Sequence, residues 1–195
     1  MTPVLMDDPK IMVFDDVLPD PMAYRAEALS KTFETHVHNT VPFHGIALSF
    51  PHVASLIMQR FPSHRPTLTF YRQSPQGQTE PLFIHCDRAM GDWTALLYLT
   101  PDPPAEDGTD FWTHRPTGDT ESPVLEPAEY FAENEKLHAM ADWERRVHVA
   151  GTFNRMLLFP APYYHSRALF DNFGEGDEAR LVHVTFGIED SSCQQ

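Results

Sequence analysis

Cysteine is scarce in this chain: Cys86 and Cys193 are the 2 in 195 residues. That is too few for a disulfide framework, so the chain fits a reducing compartment. Positive charge is also scarce. There are 14 Lys and Arg against 28 Asp and Glu, for a net charge of −14. Nucleic acid and anionic membrane surfaces are met by basic faces, so this balance argues against both as partners. Long apolar runs are missing. "TALLYL" and "MLLF" are too short to span a bilayer. The opening "MTPVLMDDPK" lacks a basic stretch followed by an apolar one, so it does not read as a secretory signal. Internal repeats and low-complexity tracts are absent. A cytoplasmic, soluble protein is expected.

What is present is globular in character. The hydrophobic fraction is 42%, with 14 Phe, and the length suits a single domain over 1–195 that can bury a core without staples. "IMVFDDVL" (11–18) reads as a strand ending at Pro19. "PDPMAYRAEALSKTF" follows as a helix with Asp20 as N-cap and Pro21 at its first position. "FPHVASLIMQRF" (50–61) reads as a second helix, with Val53, Leu56, Ile57 and Phe61 on one stripe. From residue 66 the texture changes. "TLTFYRQ", "PLFIHCD", "WTALLYLT", "TDFWTH", "NRMLLFPA" and "RLVHVTFGI" are short β-type runs separated by Pro, Gly and Asp turns. "EPAEYFAENEKLHAMADWERRV" (126–147) reads as a helical insertion, acidic first and basic last, in keeping with the helix dipole. The expected fold is therefore mainly β with flanking helices: a helical support region over 1–65, then a sandwich or barrel over 66–190.

"FIHCDRAMGDWTALLYLT" (83–100) places His85 two residues before Asp87 at the edge of an apolar run. Alone, the pair reads as a strand-end histidine and a turn aspartate. In a strand, however, residues i and i+2 share a face, so the two can converge on one ion while Cys86 points away. His165 follows Asp87 by 78 residues, after the apolar run in "NRMLLFPAPYYHSR". Two histidines and one carboxylate are the donor set of a non-haem Fe(II) site with an open face. Arg180 stands 15 residues after His165, at the start of an apolar β-run. Turned inward it would need an anion, and its planar fork suits a carboxylate.

In this order and context, the four residues resemble the iron(II)- and 2-oxoglutarate-dependent dioxygenase superfamily, in its prolyl-hydroxylase-like branch. "DWTALLYLT" resembles the strand after the His-x-Asp pair. "DGTDFW" resembles a Gly-Gly-Thr/Glu-x-Phe turn with Asp107 in place of the first glycine, and "FNRMLLFPAPYYHS" resembles the strand leading to the distal histidine. "IMVFDDVLPDPMAYR" resembles the N-terminal strand and helix of small bacterial members. The resemblance implies a double-stranded β-helix, a cupin-like jelly-roll barrel. It implies Fe(II) on His85, Asp87 and His165, 2-oxoglutarate as co-substrate with its distal carboxylate on Arg180, and O2 as oxidant. A hydroxyl commonly assists that arginine, and Tyr71 is the first choice here, with Thr94 and Tyr98 behind it. Asn154 and Arg155 are expected either to brace loops or to meet substrate.

With Asp87 present, the resemblance implies hydroxylation, or a desaturation or demethylation that begins in the same way, and no chlorination. Two other readings stay open: a metalloenzyme of this barrel that does not use 2-oxoglutarate, and a non-catalytic binding protein that has kept the barrel. The expected partner is a small-molecule or amino-acid-like substrate. A homodimer is left open.

Overall fold

Alternating burial along the strands sorts their side chains onto two faces, and the fold follows from covering both. In the computed structural model the described residues are 3–4, 6–38, 41–49, 52–78, 82–123 and 140–190. In chain order the elements are β1 (Pro3–Val4), β2 (Met12–Phe14), α1 (Pro21–Leu29), β3 (Glu34–His38), β4 (Val41–Leu48), α2 (His52–Arg60) and β5 (His64–Ser74). They continue with β6 (Trp93–Tyr98), β7 (Gly108–His114), β8 (Trp143–Ala150), β9 (Met156–Pro160), β10 (His165–Arg167) and β11 (Arg180–Glu189). Eight strands form a major sheet in the order β1-β2-β9-β6-β11-β5-β4-β3, and β10-β7-β8 form a minor one. Every pairing is antiparallel.

The inner face of the major sheet meets the minor sheet. Tyr98, Leu157, Phe159, Val182, Val184 and Phe186 pack there with Phe111 and Val149. The Phe111 and Phe159 rings stand edge to face with centroids 5.0 Å apart. The outer face is covered by the helices, through Tyr24 and Ala28 of α1 and Val53 and Ile57 of α2, on Tyr71, Leu97 and Leu181. Burying each large apolar side chain contributes roughly 1.5–3 kcal/mol. Asp20 caps α1 by accepting from the Ala23 N–H at 3.0 Å, and Pro21 sits in the first turn, where its missing N–H costs nothing. No helix among the described residues is long and apolar enough to cross a membrane.

Two expectations are corrected. The region 1–65 is not only helical, because β3 and β4 form a hairpin that extends the major sheet through the β4–β5 pairing. The expected helix over 126–147 ends in a strand. Residues 126–139 lie outside the described residues, while Met140–Asp142 is one 3-10 turn and Trp143–Ala150 is β8. Pairing with β7 decides it: Val147 and Val149 pack inward beside Phe111, and across a register shift Trp143 packs on the other face with Trp112 and Tyr164, overriding the helical look of "ADWERRV".

Candidate metal centre

His85 and His165 face each other because their backbones pair. The His85 N–H donates to the His165 carbonyl at 3.0 Å, and the His165 N–H returns to the His85 carbonyl at 2.8 Å. Their rings stand 4.5 Å apart between centroids. A further backbone bond, from Asp87 N–H to Ala161 O at 2.7 Å, holds Asp87 beside them. Its Oδ2 lies 3.3 Å from His165 Nε2, and its Oδ1 lies 3.9 Å from His85 Nε2. One ligand atom from each of the three residues falls within 4.8 Å of the others. Donors on one octahedral face, at roughly 2.1 Å from an ion, stand about 3 Å apart, so small side-chain rotations close this set on a metal.

The histidine tautomers fit that role. His85 Nδ1 is 3.1 Å from the Phe83 carbonyl, and His165 Nδ1 is 2.9 Å from the Tyr163 carbonyl. A carbonyl only accepts, so each Nδ1 carries a proton, and in the neutral ring each Nε2 presents a lone pair. Asp87 is held below the usual carboxylate range. Burial works against ionisation, but the neighbouring His165 charge and hydrogen bond, His85, and the Thr94 hydroxyl outweigh it. His165 is shifted up: burial opposes its charge, and Asp87 overcomes that burial.

A cavity of about 100 Å3 opens beside these donors. The triad and Arg180 line it, with Phe70, Val184 and Phe186 among its apolar walls. Arg180, at the start of β11, is buried. Its Nε donates to Asp107 Oδ1 at 2.8 Å and its Nη2 to the Gly108 carbonyl at 3.4 Å. The neighbouring strand β6 supports it with the Tyr98 ring, whose centroid is 5.9 Å from the guanidinium carbon. Burial holds the Tyr98 phenol well above its ordinary pKa, against the pull of the Arg180 charge and the Thr109 hydrogen bond, so it stays a neutral hydroxyl, bonded to Thr109 Oγ1 at 2.7 Å.

His85, Asp87, His165 and Arg180 are thus brought to one cavity. The three hydroxyl candidates separate. Tyr71 is corrected: it lies on the outer face of β5, stacked 4.8 Å from His183 and packed among the helices, while Phe70, Arg72 and Ser74 of the same strand line the cavity. Thr94 points inward but donates to Asp87 Oδ2 at 2.8 Å, so its hydroxyl is spent on Asp87 rather than on the arginine. Tyr98 is inward and near Arg180. Ser74, directly opposite Arg180 in the β5–β11 register, Thr109 and Ser166 are the cavity-lining hydroxyls the sequence did not single out. Strand alternation from Arg72 would have found Ser74; Asp107 carries no local signal beyond replacing a glycine. Asn154 and Arg155 brace the chain. Asn154 holds the Leu18 backbone through both amide atoms, and Arg155 grips Asp15 at 2.6 and 3.0 Å.

No family model matches the chain, and no curated protein matches it in sequence. Solved structures do match in shape. One is the non-haem alpha-ketoglutarate-dependent epimerase SnoN from nogalamycin biosynthesis, with TM-score 0.55 and 16% identity over 92% of this chain and 78% of that one. Another is an N-substituted L-amino acid dioxygenase from Burkholderia ambifaria, with TM-score 0.55 and 12% identity over 91% and 82%. A third is a prolyl-4-hydroxylase from Pseudomonas putida, with TM-score 0.53 and 14% identity over 91% of both chains. The chain has the jelly-roll fold of these 2-oxoglutarate-dependent oxygenases. The fold hosts varied reactions, so its site decides the chemistry.

Proposed function

We propose that the protein is a non-haem Fe(II)/2-oxoglutarate-dependent oxygenase that hydroxylates a small molecule or an amino-acid or peptidyl substrate. One observation carries the reading: two imidazole nitrogens and one carboxylate converge in a cavity that also presents a buried arginine. The similar structures support it, since SnoN is described in complex with Fe3+ and alpha-ketoglutarate, and a Streptomyces hygroscopicus protein, HygX, with nickel and 2-oxoglutarate.

In this reading His85, Asp87 and His165 hold the iron, and Arg180 binds the distal carboxylate of the co-substrate. When bound, iron and 2-oxoglutarate supply O2 activation coupled to oxidative decarboxylation, releasing succinate and CO2. The protein's own groups do the rest. The Phe83 and Tyr163 carbonyls fix the histidine tautomers, and Thr94 fixes Asp87. The apolar wall of Phe70, Val184 and Phe186 limits water around the reacting atoms.

The Asp107–Arg180 pair favours a second reading, a metalloenzyme of this barrel that does not use 2-oxoglutarate, because the arginine already has a carboxylate partner. Binding separates the two readings. Anaerobic titration should show Fe(II) binding and then 2-oxoglutarate binding to the loaded protein, with succinate released on adding O2 and substrate. Arg180→Leu should weaken 2-oxoglutarate binding at least about tenfold, or ~1.4 kcal/mol, with iron binding retained. Unchanged co-substrate affinity in that variant would favour the second reading.

A further inference from the structure

Arg180 is not a bare cation waiting for a ligand. Its partner is Asp107, which is 2% exposed and not among the residues that line the cavity. The fold is arranged around this carboxylate. The Asp107 N–H donates to the Pro104 carbonyl at 2.9 Å, and the Gly151 N–H donates to the Asp107 carbonyl at 2.8 Å. A Cβ at position 151 would stand 2.5 Å from Asp107 Oδ2, so the glycine makes room for the side chain. Asp107 Oδ1 and the Gly108 carbonyl together take the Nε and one Nη of Arg180, which still lines the cavity.

Two consequences follow. The guanidinium stays buried and oriented when no ligand is present, because a buried charge left unpaired is costly. Its charge is also already compensated, so an incoming carboxylate meets a neutral pair and feels the repulsion of a second carboxylate at short range in a low-dielectric site. From this we infer that Asp107 is an affinity-setting residue. Acting through Arg180, it holds the arginine ready and weakens the cavity's grip on the distal carboxylate of the co-substrate. The inference rests on the 2-oxoglutarate reading above and adds a residue that the triad and the arginine do not include.

Asp107→Asn tests it, because the amide oxygen can still accept from Arg180 Nε while the negative charge is gone. The readout is calorimetric binding to the Mn(II)-loaded protein of two probes. These are 2-oxoglutarate and 2-oxobutanoate, which shares the keto-acid end and lacks the distal carboxylate. The expected result is a gain of at least about tenfold in 2-oxoglutarate affinity, with 2-oxobutanoate and Mn(II) affinities within about twofold of the parent. A merely structural Asp107 would move both probes alike or lower the melting temperature without any selective gain, and either result overturns the inference. Should the variant fail to fold, the parent protein decides. Its preference for 2-oxoglutarate over 2-oxobutanoate should be below about 30-fold, the low end of what a buried charge pair supplies, and a larger preference overturns the inference. A parent protein that binds Mn(II) but not 2-oxoglutarate would instead remove the oxygenase reading itself.

Discussion

Thr94 shows how much one hydroxyl can control at the candidate centre. It is 1% exposed and donates to Asp87 Oδ2, the oxygen nearest His165 Nε2. A hydrogen bond to a charged acceptor contributes about 1.5–3 kcal/mol, and loss of an outer partner of a metal ligand costs roughly 10–100-fold in metal affinity. Thr94→Val keeps the shape and removes the bond. Metal titration should show Mn(II) affinity falling within that range while the fold is kept; unchanged affinity would reduce Thr94 to packing. Cys86 is the counter-case. Though between two proposed ligands, it is buried with Ile84, Trp143 and Tyr164, where the same packing turns it away from the cavity. The triad was legible because its donor types and order are rare together. Asp107 was not, because nothing in "EDGTDFW" states that an arginine 73 residues later folds onto it.

At the scale of elements, β11 carries the most. It begins with Arg180, pairs with β6 on one side and β5 on the other, and slips register against β5 between Phe186 and Gly187. At that slip the Trp93 side chain crosses close over the strand and donates to the Ile188 carbonyl at 3.1 Å. A Cβ on Gly187 would lie 2.1 Å from Trp93 Cζ2 and 2.4 Å from the Arg65 carbonyl oxygen. Gly187→Ala should therefore destabilise the protein by about 1–3 kcal/mol, an overpacking cost, read by urea denaturation as a lower midpoint at unchanged slope. An unchanged midpoint would mean that Trp93 can leave the strand without loss. The β-runs from residue 66 onward were mostly legible from period and turn residues. The phase of β5 was not: "TLTFYRQS" mixes polar residues and one aromatic on each face, and both faces are covered, so nothing local tells Phe70 from Tyr71. The hairpin of β3 and β4 was hidden by its His, Pro and Gly content, and the β7–β8 pairing overrode a locally helical stretch.

The major sheet supports the candidate centre through Thr94 on one face and buries His183 on the other, and histidines on both sides set how the whole molecule responds to pH. His183 is odd in phase with Arg180 and faces outward. There it is buried against Tyr24, with Ser49 and Thr69 on its Nε2 at 2.7 and 2.6 Å. Burial pushes its pKa down to about 3. His64, on β5, is also lowered by burial, more than Glu189 raises it. Between their lowered folded values and the unfolded value near 6.5, the unfolded chain binds more protons, so stability rises with pH across that window. His165 has the opposite sign. Burial disfavours its charge, but Asp87 raises its folded value above 6.5, so its contribution is full below 6.5 and lost as pH climbs through the folded value. The metal-free protein should therefore be most stable near pH 6.5, falling on both sides by at most about 1.4 kcal/mol per pH unit for each group. A bound metal changes the alkaline side, since it requires His165 neutral and its binding then releases the proton. Thermal melts with and without Mn(II) from pH 5.5 to 8.5 would check this. The expected outcome is a metal-induced rise in melting temperature that grows with pH, and a stability maximum that moves upward when metal is present. A metal effect that is flat with pH would show that His165 gives up no proton to the ion, and would remove it from the ligand set.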